Sequence, residues 1–420
     1  MTRARGLGRA TFASLRNRNY RLYFVGQIIS VSGTWMQRLA QAWLILRLTH
    51  NNGFALGVES GLQFLPVLLF GAWGGVIADR FDKRRILYLT QIVAGLLALG
   101  LGLIVAFGAA TVALDYLFSV LLGFVNVIDN PARQTFVMEM VGREELPNAV
   151  GLNSVVMNSS RAVGPALGGI VIAAVGLAPC FFVNAGSFLA VLLALWLMDA
   201  ELLQPVAIVP RAKGQLREGF HYVWSDRMVR TPLVMMAVIG TLAFNFQVVI
   251  PLIATRTFGL GAGGVGGLTS AMGAGAVLGG LAAASRRGVS HRRLIGLTYA
   301  MGASILVAAA APTLLTEGAA LFLMGAAAFA FIATANTTLQ LTSRPEMRGR
   351  VMALYAIAFL GSTPVGSPII GGICAVFGPR AGFAVGGVAA IVAGALAALS
   401  FRGIRAEREQ RLGSVAASAA

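Results

Sequence analysis

Apolar runs of about 20 residues, each long enough to cross the hydrocarbon core of a bilayer, recur along this chain from end to end. They fall near 21–46, 54–78, 86–107, 112–132, 148–175, 179–198, 231–255, 265–284, 293–312, 318–340, 350–376 and 380–400. The expected fold is an all-α membrane protein of about twelve transmembrane helices. Composition agrees: 12% of the residues are charged, against roughly 25% in soluble chains. The mean hydropathy is +0.77.

The net charge of +17 would suit a nucleic-acid binder, but its placement excludes one. Lys and Arg crowd the N-terminal arm, the loop holding Arg80, Lys83, Arg84 and Arg85, the stretch 199–230, the loops after the eighth and tenth runs, and the tail. The alternate loops (THNNG, FGAAT, GLAPC, GLGAGG, PTLLTEG and FGPR) are short and nearly free of cations. By the positive-inside rule the basic rim is cytoplasmic, as are both termini, and an even number of spans follows. The first run is too long for a signal-peptide core, so it is expected to stay as span one. The resulting divisions are a basic arm 1–20, a six-helix half 21–198, a linker 199–230, a second half 231–400 and a tail 401–420. The linker carries Leu216, Phe220, Val223 and Trp224 at helical spacing, which predicts a helix lying along the membrane surface.

Several chemistries are excluded. No GxxxxGK[ST] loop is present to cradle a nucleoside triphosphate. His50, His221 and His291 all fall in expected loops, away from any buried nucleophile, and no His–Cys cluster has metal-ligand spacing. Cys180 and Cys374 are far apart in apolar surroundings. Neither enzyme activity, nor a cofactor, nor a metal site is expected.

The two halves echo one another. Gly164-Pro165-Ala166-Leu167-Gly168-Gly169 in span five and Gly366-Ser367-Pro368-Ile369-Ile370-Gly371-Gly372 in span eleven both contain Pro-x-x-Gly-Gly, 203 residues apart. Spans two and eight end on similar Gly-Gly stretches at nearly the same offset. Two pseudo-symmetric six-helix halves around a mid-membrane site are what alternating access requires.

At this point the chain resembles the major facilitator superfamily over residues 15–403. Gly75-Val76-Ile77-Ala78-Asp79-Arg80-Phe81-Asp82-Lys83-Arg84-Arg85 resembles that superfamily's signature between its second and third helices, departing at Asp82, where glycine is usual. The resemblance implies a gating role for Gly75, Asp79, Arg80, Arg84 and Arg85, against the plainer role of a positive anchor. Gly164, Pro165, Gly168 and Gly169 resemble a fifth-helix signature associated with antiporters, against ordinary small-residue packing. The stretches at 33–37, 129–136 and 344–350 resemble a bacterial branch that includes siderophore exporters and macrolide efflux proteins.

Ionisable residues within lipid are costly and mark function. Glu59 and Asp115, near the outer ends of spans two and four, are candidate proton-coupling groups, with Arg38 as a nearby cation. Asp129 and Arg133, at i and i+4, fit a structural pair or a gate partner. Polar stripes on spans one and five must face a cavity or one another, since lipid cannot solvate them. Candidate cavity residues are Thr34, Gln41, Asn158, Arg161, Asn245 and Asn336, with aromatic walls from Trp35, Trp43 and Phe244. For each of these, interhelical packing is the competing role.

The expected function is proton-coupled export of a small amphipathic compound (a drug, siderophore or secondary metabolite) across a bacterial cytoplasmic membrane, by a monomer. Its partners are then a small-molecule substrate, the proton and the lipid bilayer, and no nucleic acid. Uptake or exchange of a nutrient or lipid-like solute is a second reading. A non-transporting membrane sensor is a third.

Overall fold

The computed structural model describes residues 13–204, 215–284, 288 and 290–419. The arm to residue 12, linker residues 205–214 and the loop cations Arg286 and Arg287 lie outside the described residues. Among the described residues the secondary structure is helical throughout, without strands.

Among the described residues, eleven helices are long and apolar enough to cross a membrane. One more, span one (Arg18–Leu48), has 31 residues, or about 46 Å at 1.5 Å per residue, and so also exceeds the bilayer core. It misses the apolar criterion because of its glutamines. Gln27, Gln37 and Gln41 all turn into the protein and are buried. The first half continues with span two (Gly53–Arg80), span three (Lys83–Ala106), span four (Val112–Gly142), span five (Glu144–Val175) and span six (Ala178–Leu197). The second half holds span seven (Arg227–Thr257), span eight (Ala262–Ala284), span nine (His291–Ala310), span ten (Leu314–Thr342), span eleven (Arg348–Phe377) and span twelve (Pro379–Gly403), whose helix runs on to Ala419.

Three spans differ from the sequence expectation. Span four continues ten residues beyond 132. Its extension buries Phe136, Val137 and Met140 against Tyr20, Tyr23 and Leu87, a packed face where a polar loop was expected. It ends where Gly142 takes φ 72°, a left-handed turn that suits glycine and lets span five begin almost at once. Span seven is broken at Asn245 (φ −97°, ψ 36°), after which the chain resumes as a short helix and a π turn to Thr257. Span eleven is interrupted between Leu360 and Thr363.

The described part of the linker forms an amphipathic helix, Gln215–Ser225. Val223 is fully buried, whereas Phe220 and Trp224 stack on each other at 4.8 Å and remain exposed. The helix docks on the start of span eleven through Glu218–Arg350 (2.6 Å), and the Arg344 backbone N–H donates to the Tyr222 hydroxyl. Glu218 is more than half exposed, so Glu218→Ala is expected to lower stability by less than about 1 kcal/mol in thermal unfolding.

Between the halves, span two packs on span eleven and span five on span eight. These two seams are built from the repeated Pro-x-x-Gly-Gly segments. In span five, Gly164 and Gly168 face span one within their own half, while Pro165 and Gly169 face span eight. A methyl group on Gly169 would come within 2.9 Å of the Ala262 carbonyl oxygen. Ser270 donates across this seam to the Ala162 carbonyl at 2.6 Å. In span eleven, Gly371 lies against Gly53 and Gly57, and a methyl group on Gly57 would run into the Ser367 carbonyl. All these contacts sit at the ends joined by the cation-poor loops. Towards the basic loops the same helices diverge: the first part of span eleven (Arg348–Leu360) scarcely touches span two, and Gly151 of span five and Gly349 of span eleven have open space beside them. The halves are therefore sealed on the cation-poor face and open on the basic one.

Candidate functional site

The opening leads from the basic face to a layer of polar and aromatic residues below the seal. Spans one, two and four bring two acids together there. Glu59 is 5% exposed and Asp115 is fully buried, and each lies within the other's electrostatic reach. Glu59 accepts from Ser119 (3.1 Å) and Ser60 (3.3 Å). Ser119 in turn accepts from Gln41 (3.3 Å), Gln41 from Gln37 (3.4 Å), and Gln37 from Asn184 of span six (2.6 Å). Gln41 also approaches Asp115, yet neither carboxyl oxygen of Asp115 has a hydrogen-bond partner of ordinary geometry among the described residues. Asp115 is the poorly provided member of the pair, and a buried carboxylate without donors costs far more than a satisfied one.

Next to the acids stand two cations. Arg38 (span one) and Arg161 (span five) lie over the same indole, Trp35, with guanidinium carbons 4.6 and 4.7 Å from the ring centroid. Arg38 also faces Phe64 of span two at 5.7 Å. Arg161 faces Phe329 of span ten at 4.4 Å, across the interface between halves. The Nε atoms of both arginines are buried without a hydrogen-bond partner among the described residues. Placing a cation at mid-membrane costs about 2.5–3.5 kcal/mol, and a cation–π contact returns about 0.5–2 kcal/mol. The aromatic contacts alone therefore leave the pair incompletely compensated.

The other sequence candidates divide into two sets. Thr34 is half-buried beside Trp35, with its hydroxyl donating to Ser30 O. Asn158 is half-buried and faces Gly280 of span eight between the halves. Asn336, also half-buried on span ten, accepts from Gln340 at 2.6 Å and lies within reach of Tyr355. These three remain at the opening.

Gln41 and Asn245 do not, and the structure corrects their assignment. Gln41, 1% exposed, belongs to the acid network. Asn245, 3% exposed, donates to Thr241 O (2.7 Å) and accepts from Ser367 (2.9 Å), pinning the break in span seven to span eleven. Phe244 sits in an aromatic group with Phe246 and Phe359, and Trp43 packs into the apolar core. Phe64, Phe329, Gln37 and Ser119 were not anticipated. Ser119 stands four residues after Asp115, so helical spacing carried a signal for it.

The expected gating loop is occupied within its own half. Arg84 donates to Leu195 O (2.6 Å) and Met198 O (3.2 Å), closing the C-terminus of span six, so its placement is that of a cap and not a bridge to the second half. Asp82 caps span three by accepting from the Arg85 backbone N–H at 2.7 Å, which gives the departure from glycine a purpose. Gly75 is buried, and a methyl group on its neighbour Gly74 would run into the Val127 carbonyl of span four. Asp79 is half-buried and Arg80 exposed. Lys83 pairs with Glu139 at 3.0 Å. Asp129 is a structural centre: it accepts from Thr90 (2.7 Å), Gln91 (2.9 Å) and Arg133 (2.6 Å), and Arg133 also donates to Gln27.

The sequence pattern of the family described as transmembrane secretion effector matches residues 9–416. The staphyloferrin A transporter of Staphylococcus aureus is 25% identical over 249 residues, covering 56% of this chain and 59% of the relative. The chain thus spans under two thirds of that relative's length. The enterobactin exporter of Salmonella typhimurium is 24% identical over 398 residues, covering 93% of this chain and 94% of the relative. Among solved structures, a bacterial homologue of the human lysosomal transporter Spinster, inward-facing and unoccupied, superposes with a TM-score of 0.71 at 16% identity, covering 91% of this chain and 97% of that one. The nucleoside transporter NupG gives 0.69 at 11% identity, covering 91% and 99%. These two likenesses establish the fold. A helical bundle of two six-helix halves, sealed at one face and open at the other, and a family match over nearly the whole length lead to one conclusion: the chain is a multi-pass membrane transporter that belongs to the transmembrane secretion effector family of the major facilitator superfamily.

Proposed function

We propose that the chain exports a small amphipathic compound, in the siderophore, drug or secondary-metabolite range, coupled to protons that bind at Glu59 and Asp115. The site of action is a bacterial cytoplasmic membrane. The basic loops and both termini lie on the cytoplasmic side, so the form described here faces inward, and one polypeptide forms the whole pathway.

The observation that carries the reading is the placement of the acid pair. It lies near the sealed end of the opening, beside the cavity cations and beside Gly57 and Tyr116, which belong to or border the seam between spans two and eleven. Opening that seam hydrates the carboxyls, and closing it dries them again. Their proton occupancy thereby responds to which face is open, which is the requirement for coupling. The likeness to a staphyloferrin A transporter and an enterobactin exporter supports the siderophore part of the range. One charge crossing 100 mV supplies about 2.3 kcal/mol, enough for roughly a fortyfold gradient.

The test uses proteoliposomes with a trapped pH dye and a panel of lipophilic cations, macrolides and catecholate siderophores. The expected result is a substrate-dependent pH change that Glu59→Gln reduces at least tenfold. Asp115→Asn is expected to alter the same signal while leaving thermal stability within about 1 kcal/mol, because no hydrogen bond to that carboxyl is lost. Substrate movement without any pH change in the unmodified protein overturns the coupling. Movement only into the cytoplasmic compartment, measured in oriented vesicles, overturns export.

A further inference from the structure

The acid pair leaves the two cavity cations without an assigned ligand. Arg38 and Arg161 share the Trp35 ring, so their guanidinium carbons lie less than about 10 Å apart. Like charges at that separation oppose one another in a medium of reduced polarity. Among the described residues neither arginine has a carboxylate within salt-bridge distance. The field of Glu59 reaches Arg38, and the charge that reaches Arg161 is Arg38 itself. Their Nε–H groups are buried and have no hydrogen-bond partner among the described residues. Phe64 and Phe329 complete the surroundings with flat apolar surface.

We propose that Arg38, Trp35 and Arg161 anchor the transported compound and that this compound is an organic anion: an aromatic or otherwise flat body carrying two or more carboxylate-like groups. Guanidinium forks bind carboxylates through paired N–H donors, which suits the unpartnered Nε positions. A flat body stacks on Phe329 and on the free surface near Trp35. Because Arg161 belongs to span five and Phe329 to span ten, a ligand held by both joins the halves at mid-membrane. The inference rests on the transport reading and narrows its substrate from amphipathic compounds in general to anions. Glu59, the carboxylate that faces Arg38, then acts as the ligand's competitor for that guanidinium.

The test is equilibrium binding to the full chain in nanodiscs at fixed pH and ionic strength, with benzene-1,3,5-tricarboxylate, benzoate and tetraphenylphosphonium as probes, read by tryptophan quenching and by calorimetry. The tricarboxylate is expected to bind more tightly than benzoate, and the phosphonium cation not to compete with it. Arg161→Gln and Arg38→Gln are each expected to weaken the tricarboxylate at least tenfold, Arg161→Lys to weaken it less, and Glu59→Gln to tighten it severalfold by removing the competing carboxylate. Arg161→Lys keeps a cation in place and guards against a mere folding defect. Absence of tricarboxylate binding, unchanged affinity in both glutamine variants, or displacement by the phosphonium cation overturns the anion site. Binding requires no proton movement. An intact anion site with no pH signal removes only the coupling proposed above, whereas pH-coupled transport of cations without anion binding removes only this inference.

Discussion

Gly57→Val is expected to reduce transport by about thirtyfold and to leave the protein folded but held open on its cation-poor face. At Gly57 the backbone of span two lies directly on the Ser367 carbonyl of span eleven, with no room for even a methyl group. Overpacking of this kind costs about 1–3 kcal/mol. Here the cost falls only on the form in which the seam is closed, because the two helices belong to different halves and part when the seam opens. A bias of about 2 kcal/mol corresponds to roughly a thirtyfold shift in population. The chain carries its own reporter. Cys374 is fully buried on span eleven: its Cβ lies 3.1 Å from where a methyl group on Gly53 would stand, and its Sγ turns to Pro379 O of span twelve at 4.0 Å. It should resist a membrane-impermeant thiol reagent in the present form and react faster in Gly57→Val, where the side of Cys374 that faces Gly53 is uncovered. Cys180, buried in the first half near Gly168 O, should stay unreactive in both, with Cys374→Ala as the control. Unchanged Cys374 reactivity together with unchanged transport would show that the seam does not open during the cycle.

The second large effect concerns stability. Asp129→Asn should destabilise the protein by about 3–5 kcal/mol, since removing one partner strands a buried charge. Arg133 donates twice to Asp129, at 2.6 and 3.0 Å, and the same carboxylate accepts from Thr90 and Gln91. This network ties spans one, three and four together. Thermal unfolding in detergent should show the loss clearly, whereas Asp115→Asn, whose carboxyl has no such donors, should leave the midpoint nearly unchanged. Equal melting of the two variants would contradict the division of acids into structural and functional.

These two acids show what the sequence conveyed and what it withheld. Hydropathy was sufficient for the spans, because lipid forces backbone hydrogen bonds into helices regardless of detail, and the internal repeat divided them into halves. The Pro-x-x-Gly-Gly repeat marked the helices that meet across the halves, since close helix approach needs small residues wherever it occurs. The sequence could not say which way a polar residue turns. Gln41 and Asn245 are as polar as Asn158, yet the first two are sealed in hydrogen-bond networks and only the third faces the opening. That choice depends on helix rotation, and a mixed-polarity helix permits more than one. Likewise the extension of span four past residue 132 and the break at Asn245 depend on partners distant in sequence, Tyr20 and Ser367. Phe329 was missed because an aromatic on an apolar helix carries no sign of what lies above its ring.

The halves are expected to rock about a mid-membrane site, with the face that is now sealed opening as the other closes. Paired spin labels on the two helices of one seam test this most directly. Exposed positions at each end accept labels without disturbing packing: Phe54 with Val376 at the sealed end, and Trp73 with Ile357 at the open end. Adding a transported compound or shifting the pH should lengthen the first distance and shorten the second within one sample. Both distances moving in the same sense, or neither moving while transport proceeds, would contradict the account.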